Sequence, residues 1–460
     1  MNRTLTTVEQ LRLLWSKIVA DHLRFEVLAN LGISLSAKSF SLFGGLLLQF
    51  VLVRSLGVTE FGLYTLIWTV LLTLAIIGKA GYELSAIRYV AEYHAKQEWA
   101  HLVGFQKHAR AMVILVSVAV IGVSATALYG IFTFDWITAQ TVHVCLIMLP
   151  VLPLYALTEL NSGILRGMNR LTEALFTQSV LFPVGVVITM CVLPFVGFTE
   201  TTAITAIVVS GVVLFIIIFV QHWQIQKRLP HQAQTVTPAY QSRVWVRVSG
   251  TMMTGSSIEQ ILRQLDMLAV GMLIGTTATG IYAVAVRFAK LISVGLQISN
   301  QSTAHMYSPL YNGGNLQDLQ RVISWTAVVS ALTTAPILLI FFLWPRQLLL
   351  VFGEEFSEQG ALILQILLLG QFANALAGPN GILLVMTKYQ SAMVWALLST
   401  LLINLLLLLV LVPKWGIIGI AVATSVAVLF RNIVLCTQVK QRLQINTTIF
   451  SSHILKGVLG

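Results

Sequence analysis

Gly275-Thr276-Thr277-Ala278-Thr279-Gly280-Ile281-Tyr282 joins two apolar segments that together occupy residues 249–300. Those segments carry Glu259, Arg263, Asp266, Arg287 and Lys290, five ionisable residues within 32 positions. An ionised side chain at the centre of a bilayer costs roughly 2.5–3.5 kcal/mol on insertion scales, so such residues face a bundle interior or a wet cavity. The join has an echo. Gly57-Val58-Thr59-Glu60-Phe61-Gly62-Leu63-Tyr64 shares the pattern Gly-x-Thr-x-x-Gly-x-Tyr, 218 residues earlier. A second pair keeps the same separation: Gly163-Ile164-Leu165 with Met168 recurs as Gly381-Ile382-Leu383 with Met386, and Arg170 returns as Lys388. Two concordant pairs make the chain a duplication of a unit of about 218 residues.

With 460 residues, 57% hydrophobic and 10% charged, and a mean hydropathy of +0.85, the chain is too apolar for an ordinary soluble protein. Runs of roughly 18 to 25 apolar residues match the length of helix that crosses hydrocarbon. The expected fold is an all-α integral membrane protein with twelve transmembrane helices, at about 30–53, 62–84, 111–133, 140–158, 174–196, 202–222, 249–272, 280–301, 322–344, 359–384, 389–412 and 416–437. Six spans per repeat is an even number, so the copies share one orientation about an axis along the membrane normal. The expected organisation is an interfacial amphipathic helix over 1–28, an N-lobe over 29–222, a cytoplasmic linker over 223–247 and a C-lobe over 248–460. Residues 1–28 lack the apolar core of a signal peptide, and Val8, Leu11, Trp15, Ile18 and Val19 recur in them at helical spacing.

The net charge of +11 does not point to nucleic acid, because the basic residues collect on one side of the expected spans. Twenty of the 28 Lys and Arg fall on segments that share the side of the termini, against Arg54, Arg346 and Lys414 on the other. The positive-inside rule therefore places both termini in the cytoplasm. Cys145, Cys191 and Cys436 lie in apolar runs without partner spacing and read as buried inert thiols, with neither a metal site nor a disulfide framework.

The charge within the spans is concentrated in the first, second, seventh and eighth, which the duplication makes counterparts. Spans three to six read as almost free of ionisable groups, His143 apart. Lys79 and Glu83 are spaced i, i+4, Glu259, Arg263 and Asp266 form one helical stripe, and Arg287 and Lys290 are i, i+3. Lys79 and Glu83 either neutralise each other or line a cavity. A cleft between these four helices would hold five bases, Lys38, Lys79, Arg263, Arg287 and Lys290, against three acids, Glu83, Glu259 and Asp266. That excess suits a phosphate or other anion, Arg supplying bidentate geometry and Lys a point charge. The acids pair with the bases or titrate in ion-coupled cycling.

At these residues the sequence resembles the polysaccharide transport family of the multidrug/oligosaccharidyl-lipid/polysaccharide (MOP) flippase superfamily, and most of all its Wzx-type O-antigen flippases. The resemblance rests on Arg54-Ser55-Leu56-Gly57 with Glu60 to Tyr64, on Gly81 followed by Ala86-Ile87-Arg88-Tyr89-Val90-Ala91, on Leu165-Arg166-Gly167-Met168-Asn169-Arg170, and on Asp266 with Gly275, Gly280 and Tyr282. It implies a two-lobed bundle in a bacterial inner membrane that alternates between inward- and outward-facing forms. The implied cargo is an undecaprenyl-pyrophosphate-linked oligosaccharide, moved from the cytoplasmic to the periplasmic leaflet by a monomer. Membrane lipid and the glycan polymerase and assembly machinery are the implied partners. No cofactor is implied beyond a proton or sodium gradient.

Three other functions compete. A drug-extruding antiporter of the same superfamily tends to carry a carboxylate in its first span, where this chain has Lys38. Lipid II flippases usually have two further spans. A membrane polysaccharide polymerase or glycosyltransferase would want a long outer loop bearing acids or His, and there is no phosphate-cradling P-loop, metal-binding helix motif or nucleophile elbow.

Overall fold

The computed structural model describes residues 7–133, 139–198 and 200–447, which form helices and their connections with no strand among them; side chains of the first helix are described from Phe43 onward. The helix Thr7–Gly78 reverses at Gly57 (φ 74°, ψ 172°) into α1 (7–56) and α2, and α2 resumes after a break at 79–81 as Tyr82–Ala95. Then follow α3 (Trp99–Thr133), α4 (139–167, with a jog at 149–150), α5 (Leu171–Val196) and α6 (Ala203–Arg228). The second half begins with α7 (Ser242–Leu273), α8 (Thr276–Asn312), α9 (Leu316–Leu343) and α10 (354–386, broken at Gly378). Gln390–Leu443 reverses at Gly416 (φ 54°, ψ −130°) into α11 (390–415) and α12 (417–443).

Nine described helices are long and apolar enough to cross a membrane by length and composition alone. Gly57 and Gly416 each divide one of these in two, and α7, kept out of that set by its polar stripe, is the twelfth.

The duplication is written in the backbone as well as in the sequence. Left-handed residues turn the chain at matching places: Gly57 and Gly275, Gln97 and Gly314, Asn169 and Lys388, Gly197 and Gly416. Their separations stay between 217 and 219 residues, so both halves fold to one plan.

Where the halves meet, counterpart residues touch. A Cβ on Gly62 would lie 1.8 Å from the carbonyl oxygen of Thr276, and one on Gly280 would lie 2.7 Å from that of Val58. The hydroxyls of Thr59 and Thr277 are 3.1 Å apart. Contact between equivalent positions is what a twofold axis produces at an isologous interface. Arg54 adds a hydrogen bond to the carbonyl of Val351 at 2.9 Å, and the Gly57 end of the molecule is closed.

The rest of the repeated motif has local work. Glu60 accepts a hydrogen bond at 2.7 Å from the backbone N–H of Ala203, the first residue of α6, and the Tyr64 hydroxyl meets Ser210 of α6 at 3.1 Å. An anion there satisfies an orphan donor and complements the helix dipole. Glu60→Ala is therefore expected to lower stability by about 1 kcal/mol. A thermal melt of the purified protein in detergent checks this, and an unchanged midpoint rejects the capping role. Gly163 and Gly167 of α4, four residues apart, let it approach α2 closely: a Cβ on Gly163 would fall 2.3 Å from the carbonyl of Glu83 and one on Gly167 2.7 Å from the Cβ of Val90. Close backbone approach over small residues is how helices pack in lipid, where no hydrophobic force separates protein from solvent.

At the opposite end, α7 begins inside the first half. Trp245 is fully buried against Phe105 and His108, and its indole donates to the Tyr93 hydroxyl at 3.0 Å. Four residues on, Ser249 bonds Ser85 at 2.7 Å. The polar connection between the halves is thus 229–241, shorter than the expected 223–247, since α6 runs to Arg228 and α7 starts at Ser242. Residues 7–28, expected as a separate interfacial helix, continue into α1 without interruption. The expectation of three buried thiols is also corrected: Cys145 is buried, Cys436 is half-buried and accepts a hydrogen bond from the Asn380 amide at 3.2 Å, and Cys191 is exposed.

Candidate functional site

The second half gathers charge on α7 and α8 because their apolar faces are committed elsewhere. Ile281 to Ala285 and Ile292 of α8 lie in the main apolar core, which spans both halves, and this leaves Arg287 and Lys290 along the seam. Glu259 and Arg263 form an ion pair at 2.5 Å with both side chains largely exposed. Asp266 accepts from the Tyr282 hydroxyl at 3.4 Å and from the Met267 backbone N–H at 2.9 Å. Lys290 has Asp266, Arg287 and Arg263 as its charged neighbours and keeps an exposed side chain among them, as a residue lining a cleft does.

Arg287 reaches across to the first half. Its guanidinium occupies the space above Gly45 of α1, where a Cβ would fall 1.1 Å from Nη2, so only glycine leaves that niche open. Arg431 of α12 joins the group: its charged neighbours are Glu259 and Arg263, and it donates to Asn374 at 3.4 Å. Arg263, Arg287, Lys290 and Arg431 thus stand against Glu259 and Asp266, a cationic excess.

The first half is balanced by contrast. Lys79 is buried, paired with Glu83 at 3.0 Å, and reaches Gln260 of α7 at 3.4 Å. Close by, Glu159 of α4 accepts from the Gln178 amide at 2.7 Å, and Gln178 accepts in turn from Arg166 at 3.2 Å. Glu159 counts Lys79, Glu83 and Arg166 among its charged neighbours. Two bases and two acids cancel within this network. Arg263 and Arg287 are charged neighbours of Lys290, whereas Lys79 belongs to the adjoining neutral network. Lys38 lies outside the described side chains.

The expectation that spans three to six are almost free of ionisable groups is overturned by Glu159. The fourth span was expected to end at 158, which put Glu159 and Arg166 beyond the bilayer, but α4 runs to Gly167 and carries both inward. Arg431, which the charge count by side sets among the cytoplasmic bases, lies instead within α12. Among the described residues no three His, Cys, Asp or Glu side chains gather as a metal site.

A cavity opens between α1, α2 and α5, with a volume of about 260 Å³ and Arg287 at its edge. It adjoins a second space of about 270 Å³ between α2, α4, α5 and α6, and the two share Trp68, Gln178, Ser179 and Phe182. Gln178 and Ser179 lie on a π-helical turn, Thr177–Leu181, that interrupts α5. Such turns occur frequently at functional sites.

Comparison with known proteins agrees with this architecture. A family profile described as polysaccharide biosynthesis protein matches residues 27–305, and one described as MatE matches residues 252–410. No curated protein matches the sequence. Among solved structures, an inward-facing multidrug resistance MATE family transporter of the MOP superfamily is similar with a TM-score of 0.75 at 15% identity, over 86% of this chain and 93% of that one. The lipid II flippase MurJ in an inward closed conformation gives 0.71 at 16% identity, over 89% and 87%. An outward-facing multidrug resistance MATE family transporter gives 0.65 at 12% identity, over 91% and 95%. At these identities the likeness is one of fold.

Proposed function

Since the chain belongs to the polysaccharide biosynthesis protein family of the MOP transporter and flippase superfamily, we propose that it turns an undecaprenyl-pyrophosphate-linked oligosaccharide from the cytoplasmic to the periplasmic leaflet by alternating access. The observation that supports this reading is Arg287 seated over Gly45 of α1 at the seam of the halves, with Lys290 counting Arg287, Arg263 and Asp266 as charged neighbours. A pyrophosphate cannot cross hydrocarbon unaided, and guanidinium and ammonium groups held in a cleft replace the water it must shed. The lipid tail stays in the bilayer while the headgroup passes.

The distribution of Lys and Arg supports cytoplasmic termini in a bacterial inner membrane, with the Gly57 end periplasmic. The closed Gly57 end and the higher similarity to an inward-facing than to an outward-facing relative support a conformation ready to load from the cytoplasm. Glu259 and Asp266 hold the bases in register. Glu83, joined by Glu159, is the acid we assign to proton exchange in a cycle drawing on an ion gradient. Glycan polymerase and assembly machinery would receive the product.

The match of the second half to the MatE profile favours one alternative, a small-molecule antiporter. A deletion strain separates the two. Undecaprenyl-linked oligosaccharide accumulating on the cytoplasmic leaflet, with unchanged retention of cationic dyes, is the result expected of a flippase. Dye retention with normal surface glycan hands the function to the antiporter.

A further inference from the structure

The cavity of the first half is walled in a way that the cationic cleft does not explain. Trp68 stacks on Tyr64 at 5.9 Å and on Phe182 at 5.4 Å between ring centroids, and it meets Tyr155 edge-on at 6.3 Å. The rest of the lining is mostly polar, with Gln49, Thr65, Thr69, Gln178, Ser179 and Thr158, and carries Arg287 and Glu159 as its charged members. Gln49 Oε1 is buried without a hydrogen-bond partner. A buried carbonyl left so costs about 1–3 kcal/mol, which a packed core avoids and a binding site recovers when its ligand arrives.

We propose that this cavity is a saccharide site that takes a neutral or N-acetylated hexopyranose of the cargo while the basic cluster across the seam takes the phosphates. The proposal rests on the reading of the cargo as a lipid-linked oligosaccharide. A pyranose presents one face of C–H bonds, which carry partial positive charge and suit the negative face of an aromatic ring. Its rim presents hydroxyls that both donate and accept; Gln49 and Ser179 offer both functions, and the Thr158 hydroxyl, which donates to the Leu154 carbonyl, is left to accept. The two adjoining spaces, about 260 and 270 Å³, share Trp68, Gln178, Ser179 and Phe182, and each lies just below the range of small-ligand pockets, roughly 300–1,000 Å³.

Charge decides against a cationic occupant, which aromatic rings also attract. Glu159, the acid of this cavity, is bonded to Gln178 and has Lys79 and Arg166 as charged neighbours, and Arg287 stands at the edge. No uncompensated negative charge is left to hold a cation. The π-helical turn of α5 supports the site by directing the consecutive residues Gln178 and Ser179 into one space.

The test uses the purified full chain in nanodiscs and saturation-transfer NMR with free glucose, galactose, rhamnose and N-acetylglucosamine. Separate titrations use inorganic pyrophosphate and tetraethylammonium. At least one sugar is expected to show saturation transfer. Trp68→Ala should reduce it about tenfold, and Gln49→Leu, which keeps the volume, about fivefold, with pyrophosphate binding unchanged within twofold. Should Trp68→Ala fail to fold, Trp68→Phe and Gln49→Leu carry the comparison. Absence of transfer from all four sugars, transfer indifferent to these variants, or displacement of sugar by tetraethylammonium overturns the proposal. Loss of pyrophosphate binding in the unmodified protein overturns the anion cleft instead, so the two failures are told apart.

Discussion

Arg287→Glu is expected to abolish surface glycan in a complementation assay while the amount of protein in the membrane stays at the wild-type level. Arg287 is the basic residue of the cluster that spans the seam, its guanidinium seated over Gly45 of α1. A hydrogen bond to a charged group contributes about 1.5–3 kcal/mol, so simple loss already costs roughly ten- to 150-fold in binding. Reversal adds repulsion between carboxylate and phosphate and removes one of the two basic neighbours of Lys290, the other being Arg263. Arg287→Lys should retain part of the activity, since the charge survives and the bidentate geometry does not. Gly45→Val should reproduce much of the defect without touching a charge, because its side chain claims the space the guanidinium fills. Arg263→Glu, facing Glu259, should also fail. Normal surface glycan in Arg287→Glu at wild-type protein levels would remove the cluster from the transport pathway.

The second large effect is conformational. Gly62→Val is expected to prevent closure of the Gly57 end and stop transport with the substrate site intact. Any Cβ at residue 62 meets a backbone oxygen at 1.8 Å, and no rotamer change relieves a clash with backbone. The halves must separate there. The check is a disulfide between Thr59→Cys and Thr277→Cys, whose native hydroxyls touch at 3.1 Å. It should form readily in the otherwise unchanged protein and fail when Gly62→Val is added. Efficient cross-linking in that variant would show that the contact between the halves tolerates the side chain. Pyrophosphate binding retained by Gly62→Val would separate loss of closure from damage to the cleft.

These two residues also mark what could be read from the chain before any coordinates. Gly62 and Gly280 stood out as repeated letters because each is where the other half's backbone arrives, and a contact between equivalents imposes the same requirement twice. Twelve spans and their even division followed from apolar run length, since lipid tolerates few alternatives to a long helix. The breaks in α2 at 79–81 and in α10 at Gly378 fall inside expected spans, although Gly78 and Gly81 flank the first and Gly378-Pro379-Asn380-Gly381 is a turn signal at the second. Glu159 was hidden by a boundary: a span ended too soon turns an interior acid into a surface one. The gathering of Arg263, Lys290 and Arg431 depends on how α7, α8 and α12 rotate against each other, and helical spacing within one helix says nothing of the next. Sequence gave Lys79 and Glu83 their shared face but could not say that they close on each other at 3.0 Å.

Helix α7 is rooted at one end among Phe105, His108 and Tyr93 of the first half, and near its other it bonds Tyr282 of the second. Such a member acts as a tie bar. When the halves rock, neither can carry it along whole, and the difference in their displacement has to be taken up as bending or sliding within its own length, between Trp245 and Asp266. That interval holds Glu259 and Arg263, so the same flexing that admits the cargo also shifts two of the charges that greet it.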